Sequence, residues 1–216
     1  MAYTLLRGDF IQLFQEVSLD QAFYQIAKRS VNSPFFKVRS DNYETMRNNL
    51  QLRNNFVKDF SWAIPTPDVV NKIYKATLGK KILEVGAGNG LWSKLLKMSG
   101  SEIVATDSFE SHGFTEDRTY LPVHNLDAVT AIKQNRDCDV LMLIWPAYDT
   151  DMAEKSLKEF KGSTIVYIGE GYGGCNANDE FFDELSKNWN EVNFDDNIYV
   201  PQWNGIHDYL EIYQRK

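Results

Sequence analysis

The chain has 216 residues, of which 43% are hydrophobic and 25% charged, as expected for a globular protein with one main domain. Its formal net charge of −7 argues against binding nucleic acid or an anionic membrane through overall charge. The two cysteines, Cys138 and Cys175, lie too far apart for a zinc motif and are too few for a disulfide framework. No signal peptide or long apolar run is visible, so we expect a cytoplasmic protein that has no membrane partner.

Residues 1–63 are predicted to form an N-terminal helical extension. Ser18 and Gln21 make a capping-box pattern ahead of an apolar stripe, and Asp41 and Glu44 make a second one. Between the first box and Phe60 the chain holds seven basic and three acidic residues. This local excess is compatible with an anionic acceptor and equally with solvated helix faces.

Residues 64–216 are predicted to form a separate α/β domain. A helix should begin with Thr66 as N-cap and Pro67 as its first residue, and it should end at Gly79. Short apolar runs then alternate with helical stretches. Strands are expected at residues 82–85, 103–106, 120–123, 140–144 and 164–168, with helices beginning near Leu91, Ala128, Asp151 and Asp179. Strands this uniformly apolar indicate a doubly wound, mostly parallel sheet that is covered on both faces.

The end of the chain departs from this alternation. Residues 197–203 and 208–213 are two strand-like runs joined through Asn204 and Gly205, a pair typical of hairpin turns. We therefore expect an antiparallel C-terminal hairpin at the edge of the sheet.

A glycine-rich motif follows the first predicted strand. Glu84 is followed by Gly86, Gly88 and Gly90, and Asp107 comes seventeen residues after the last of these, at the end of the second strand. Glycines allow unusual backbone dihedrals and the close approach of a ligand, and a carboxylate so placed can bind the hydroxyls of a ribose. The dinucleotide motif G-x-G-x-x-G requires a glycine where this chain has Leu91, which disfavours a nicotinamide oxidoreductase.

The motif resembles the first motif of class I (Rossmann-like) S-adenosylmethionine-dependent methyltransferases, an acidic residue followed by x-G-x-G-x-G. The resemblance covers roughly residues 64–216 and implies a seven-stranded sheet with an antiparallel last hairpin. It also implies that the glycines cradle the methionine end of S-adenosylmethionine, that Glu84 braces the loop and that Asp107 holds the ribose. Asp127, after the third strand, resembles the acidic residue that binds the adenine amino group, but it could equally cap the following helix.

The fourth predicted strand ends in Trp145, Pro146, Ala147 and Tyr148. This run resembles the Asp/Asn-Pro-Pro-Tyr motif of amino-group methyltransferases, with a tryptophan in place of the polar residue. An indole cannot accept the hydrogen bond of an amine, so Trp145 and Tyr148 are expected to form an apolar or aromatic wall against the sulfonium or a flat substrate. The alternative is a buried tryptophan that packs under the edge of the sheet.

Glu170 and His207 are the candidate proton acceptors. Glu170 follows the fifth strand in a glycine-rich loop, and His207 precedes the last strand, so both should reach the carboxyl edge of the sheet. Structural roles are the alternative for both. Together with Trp145 and Tyr148, they also resemble a pattern in a group of small methyltransferase-like proteins, which implies that they form one site.

The sequence therefore predicts an S-adenosylmethionine-dependent methyltransferase that contains no metal. Its acceptor is unidentified, with a small molecule or a protein favoured over nucleic acid. The alternative is a non-catalytic protein of the same fold that binds S-adenosylmethionine or a nucleotide and regulates a partner.

Overall fold

The structure is a computed structural model, and it describes residues 18–23, 51, 53–110, 113–193, 198–203 and 205–216. Residues 19–23 and 53–59 are helical. The first capping box is confirmed, because the backbone N–H of Ser18 donates to Gln21 Oε1 at 2.9 Å and that of Gln21 donates to Ser18 Oγ at 3.3 Å. The second box, Asp41 with Glu44, lies outside the described residues.

From Pro67 onward, the described residues form five helices and seven strands. The helices are α1 Pro67–Ala76, α2 Leu91–Met98, α3 Ala128–Gln134, α4 Met152–Glu159 and α5 Asp179–Asn188. The strands are β1 Lys81–Val85, β2 Glu102–Asp107, β3 Val123–Asn125, β4 Val140–Ile144, β5 Thr164–Gly169, β6 Trp189–Glu191 and β7 Tyr209–Arg215. Helix α1 begins as predicted, since the hydroxyl of Thr66 accepts a hydrogen bond from the backbone N–H of Val69.

The seven strands form one sheet in the order β3-β2-β1-β4-β5-β7-β6. Strands β1 to β5 pair with one another in parallel. Strand β7 runs antiparallel to both β5 and β6. The chain is thus a doubly wound, mostly parallel α/β fold with an antiparallel C-terminal hairpin, as predicted. The carboxyl ends of β1, β2, β4 and β5 meet at one edge of the sheet, where ligands bind in open α/β folds.

Two predicted strands are corrected. The hairpin partner of β7 is Trp189–Glu191, and residues 198–203 form no strand. Val200 and Trp203 are buried in the core, so the apolar pattern there reflects packing rather than strand pairing. The third strand begins at Val123 rather than at Tyr120. Tyr120 is buried because its side chain packs in the core, where its hydroxyl donates to the carbonyl of Asp59 at 2.6 Å.

The two faces of the sheet carry separate apolar layers. Residues 53–60, α1 and α2 contribute to one layer, with Phe56, Phe60 and Ile73 buried there. Helices α3, α4 and α5 cover the other face. The described end of the helical extension thus shares a core with the α/β part. In the part of the chain that is described, no helix has both the length and the apolar character needed to cross a membrane.

Candidate functional site

The loop between β1 and α2 depends on its glycines. Gly86, Gly88 and Gly90 have φ angles of +68°, +56° and +73°, in the left-handed region that other residues rarely adopt. Gly90 also packs closely, since a Cβ there would lie 2.5 Å from Leu121 Cδ2. The backbone between β1 and α2 is therefore fixed in a shape that side chains would disrupt.

Asp107 is hydrogen-bonded to this loop. Its Oδ2 accepts from the backbone N–H of Gly88 and its Oδ1 from that of Phe109, each at 2.7 Å. The side chain is half-buried, and each carboxylate oxygen keeps a lone pair for a further donor. Asp107 therefore holds the loop while retaining the capacity to bind ribose hydroxyls.

Glu84 lies beneath the same loop and is buried. Its carboxyl group accepts a hydrogen bond from the hydroxyl of Ser93 in the first turn of α2. Burial raises the pKa of Glu84 to about 8, which this hydrogen bond only partly offsets. In the structure Glu84 joins the end of β1 to α2.

Asp127 caps helix α3. Its Oδ1 accepts from the backbone N–H of Thr130 at 3.0 Å, and its bonds to Thr130 hold the pKa of its carboxyl below the usual value. The capping role left open by the sequence is therefore present, and the side chain is exposed. A role in binding adenine stays a prediction.

The hydrogen-bond donors and acceptors around the loop suit S-adenosylmethionine, but an aromatic ring covers Gly88. A Cβ at Gly88 would lie 2.9 Å from the ring of Phe114. The half-buried ring of Phe114 thus occupies the space that a side chain at Gly88 would fill. A cofactor that lies against Gly88 must displace Phe114.

Trp145 lies at the end of β4 in a strained backbone conformation, with φ at +53°. Its indole N–H donates to Asp208 Oδ1 at 2.8 Å, and its ring stacks on that of Trp62 with centroids 5.0 Å apart. Both rings are half-buried. Tyr148, by contrast, is 64% exposed.

Glu170 and His207 lie next to each other at the same edge. The Glu170 carboxylate accepts from the backbone N–H groups of Cys175 at 2.8 Å and His207 at 2.9 Å. Burial alone would raise the pKa of Glu170, yet these hydrogen bonds hold it below its usual value. The His207 ring is exposed, and its Nδ1 lies 3.9 Å from Glu170 Oε1. Their roles as proton acceptors stay predictions.

Arg53 completes this group and was not among the predicted site residues. Its guanidinium carbon lies 4.9 Å from the ring centroid of Trp62 and 5.0 Å from that of Trp145. Only 8% of the residue is exposed, and burial lowers its pKa although Asp208 counteracts this effect. One pattern could have revealed it. Arg53 lies three, four and seven residues before Phe56, Val57 and Phe60, and so on the apolar face of its helix.

Asp208 is the most buried carboxylate of the group, with 1% exposed. Burial raises its pKa to about 6, against the effect of the hydrogen bond from Trp145. Apart from Asp127 and Tyr148, the predicted residues thus fall into two clusters on one edge, together with Arg53, Trp62 and Asp208. The glycine cluster holds Glu84, Gly86, Gly88, Gly90 and Asp107. The tryptophan cluster holds Arg53, Trp62, Trp145, Glu170, His207 and Asp208.

The two clusters are linked by Asn89, which is buried within the glycine loop. Its side-chain amide donates to the carbonyl of Phe60 at 2.6 Å, and its Oδ1 accepts from the backbone N–H of Leu91 at 3.2 Å. Phe60 directly follows the helical segment that carries Arg53. A hydrogen bond therefore ties the glycine loop to the segment that bears the arginine.

Solved structures with a similar architecture include a protein of the NADB-Rossmann superfamily from Streptococcus agalactiae, at 12% identity and a TM-score of 0.47 over 71% of this chain and 70% of that one. Another is an SAM-dependent methyltransferase from Archaeoglobus fulgidus, at 16% identity and a TM-score of 0.46 over 82% of this chain and all of that one. TehB from Haemophilus influenzae is 16% identical, with a TM-score of 0.45 over 76% of this chain and 66% of its own. Neither a protein-family profile nor a curated protein sequence matches the chain. Because these TM-scores are all below 0.5, the chemistry of the chain has to be inferred from its own residues.

Proposed function

We propose that this protein is an S-adenosylmethionine-dependent methyltransferase. The observation that carries the proposal is the glycine cluster, in which three glycines hold a left-handed backbone after β1 and Asp107 binds the N–H of Gly88. The end of β1 is also where an open α/β sheet binds its ligand. A plain strand-to-helix turn would not need this combination.

The residues of the chain divide the work between the two clusters. Bound S-adenosylmethionine would supply an activated methyl group on a sulfonium. Gly86, Gly88 and Asp107 would hold that cofactor, and the indoles of Trp62 and Trp145 would form an aromatic wall able to attract a cation by about 0.5–2 kcal/mol. Aligning the acceptor and excluding water would then be the main tasks of the protein.

His207 is a better candidate than Glu170 for accepting a proton. Both Glu170 oxygens already accept backbone hydrogen bonds, and these lower its pKa, which makes the carboxylate a weaker base. The imidazole of His207 is exposed at the rim.

We propose a small-molecule or protein acceptor rather than nucleic acid, with no membrane partner. Both thiols are free, in keeping with work in the cytoplasm.

Calorimetric titration with S-adenosylmethionine and S-adenosylhomocysteine tests the proposal. We expect saturable binding of both, and Asp107→Ala should weaken it by about 1.5–3 kcal/mol through loss of charge-assisted hydrogen bonds. Asp139→Ala is the matched control, because Asp139 is an exposed aspartate at the opposite edge of the sheet, next to the start of β4. Tighter binding of a nicotinamide cofactor, or equal losses in the two variants, would contradict the proposal.

A non-catalytic binding protein of the same fold is the second candidate. The engagement of Glu170 by backbone groups favours it, since this removes one of the two predicted bases. The candidates differ in one measurement. Both bind the cofactor, but only an enzyme transfers labelled methyl groups to a cell extract, and His207→Ala should abolish that transfer while cofactor binding persists.

A further inference from the structure

The tryptophan cluster contains buried polar atoms that have no hydrogen-bond partner among the described residues. They are Nε and Nη2 of Arg53 and Oδ2 of Asp208. Buried charged groups are normally paired, because an unsatisfied one loses its hydration without compensation. Arg53 and Asp208 influence each other through their charges, but these atoms still lack hydrogen bonds, which indicates that a third group completes the cluster.

Both groups contact Trp145. Arg53 lies over its ring, with the guanidinium carbon 5.0 Å from the centroid, and Asp208 Oδ1 accepts its indole N–H at 2.8 Å. Nε and Nη2 lie on the same edge of a guanidinium, so the unpaired N–H groups of Arg53 form a parallel pair. The missing group must therefore offer an acceptor to Arg53 and a donor to Asp208.

The charge of the cluster decides between ligand classes. Arg53 contributes one positive charge, whereas Glu170 and Asp208 are both acidic and both influence the pKa of Arg53. A carboxylate or phosphate ligand would place a further negative charge beside these acids. A neutral group in which a carbonyl oxygen adjoins an N–H can accept from Arg53 and donate to Asp208 without adding a negative charge. The stacked indoles of Trp62 and Trp145 favour a flat ring as its carrier.

We propose that Arg53 and Asp208 form the acceptor-binding subsite, and that it takes a flat, neutral heterocycle with a lactam edge, in which a carbonyl oxygen lies beside an N–H. The name acceptor rests on the proposed function, but the recognition itself needs no cofactor. The half-buried ring of Trp62, whose centroid lies 4.9 Å from the Arg53 guanidinium carbon, borders this subsite.

Nuclear magnetic resonance of the indole N–H of Trp145, assigned with Trp145→Phe, provides the test. The probe is 1-methyluracil, and the matched control is 1-methylcytosine, in which the acceptor and donor of the corresponding edge are exchanged. Without any cofactor, the first should shift this resonance saturably and bind at least tenfold more tightly than the second. Benzoate, a flat anion, is a third probe that tests whether the subsite prefers a negatively charged ligand. Tighter binding of benzoate, equal binding of the two pyrimidines or no saturable shift would overturn the proposal.

Variants test the donor, Arg53, and the acceptor, Asp208, separately. Arg53→Met should abolish the preference for 1-methyluracil, and Lys58→Met, an exposed position on the same helical segment, should leave it unchanged. Asp208→Asn keeps an oxygen for Trp145 but can place an N–H2 donor at the free position, so the preference should fall at least tenfold. A preference that survives in either Arg53→Met or Asp208→Asn would contradict the assignment.

Thermal stability separates a binding subsite from a structural ion pair. The double variant Arg53→Met/Asp208→Asn removes both buried charges, and its melting temperature should equal or exceed that of the wild type. A fall of several degrees would show that the charges stabilise the fold and would overturn the subsite. Binding of 1-methyluracil without binding of S-adenosylmethionine would refute only the proposed function, and the reverse result would refute only this inference.

Discussion

The two clusters on the carboxyl edge of the sheet differ in how their polar groups are satisfied. In the glycine cluster, Asp107 accepts two backbone N–H groups and Glu84 accepts the hydroxyl of Ser93. In the tryptophan cluster, Arg53 and Asp208 are buried with unpaired atoms. The first cluster is held in shape by its own contacts, whereas the second retains polar atoms for another molecule.

This contrast suits the two halves of a transfer site. A cofactor is the same in every turnover, so a loop held rigidly in one shape reduces the ordering cost of binding it. Recognition of a particular acceptor depends instead on leaving polar groups that only the correct molecule satisfies. Changes to the glycines of the first cluster should therefore affect folding, whereas changes at Arg53 and Asp208 should affect binding of the acceptor.

The largest expected effect is that of Gly90→Ala. The new Cβ would occupy a left-handed backbone position and lie 2.5 Å from Leu121 Cδ2, so strain and overpacking should lower the free energy of unfolding by about 3 kcal/mol. Gly79→Ala has the same sign of φ and open space around the Cβ, and should cost about 1 kcal/mol. Urea unfolding of both variants checks this difference, and equal losses would show that Gly90 packs loosely.

Glu84 should make stability depend on pH. The raised pKa, about 8, keeps Glu84 protonated in the folded protein while the unfolded chain ionises near its ordinary value. Folded protein therefore binds the extra proton, and stability falls as pH rises from about 5 to about 8. Glu84→Gln lacks this loss, so its stability relative to the wild type should increase by about 2 kcal/mol between pH 5 and pH 7.

The measurement is urea unfolding of wild type and Glu84→Gln across this pH range. Glu180→Gln, at an exposed position in α5, is the control and should show no such trend. A difference between wild type and Glu84→Gln that does not change with pH would mean that Glu84 is ionised in the folded protein.

The smallest expected effect concerns Asp127. Loss of its cap should lower the free energy of unfolding by about 1 kcal/mol in Asp127→Ala. Asp151→Ala should cost less, because Asp151 occupies the N-cap of α4 without a capping hydrogen bond. Calorimetry on the same variants separates the two predicted roles, since an unchanged affinity of Asp127→Ala for S-adenosylhomocysteine would limit Asp127 to the cap.

Elements with strong local patterns could be predicted from the sequence. Thr66 and Pro67 start α1 through a cap and a fixed φ, and the glycines after β1 have the left-handed angles that glycine permits. The partner of β7 could not be predicted in this way. The apolar run around Val200 looked like a strand, but the fold buries it against other elements and pairs β7 with residues 189–191.

The tryptophan cluster shows the same limit at the level of the site. Trp145, Glu170 and His207 could be placed at one edge because parallel strands all end on the same side. The exposure of Tyr148 and the engagement of Glu170 by backbone N–H groups depend on loop conformations that no periodicity encodes. Arg53 came from a distant helical segment, and its sequence signature was a basic residue on an apolar face.

A crystal structure of the protein with S-adenosylhomocysteine tests the central assignment most directly. We expect the ligand to lie on the loop from Gly86 to Gly90, its ribose hydroxyls to form hydrogen bonds with Asp107, and the ring of Phe114 to have moved away from Gly88. A ligand bound elsewhere, or one bound here without contact to Asp107, would contradict the division of this edge into a cofactor half and an acceptor half.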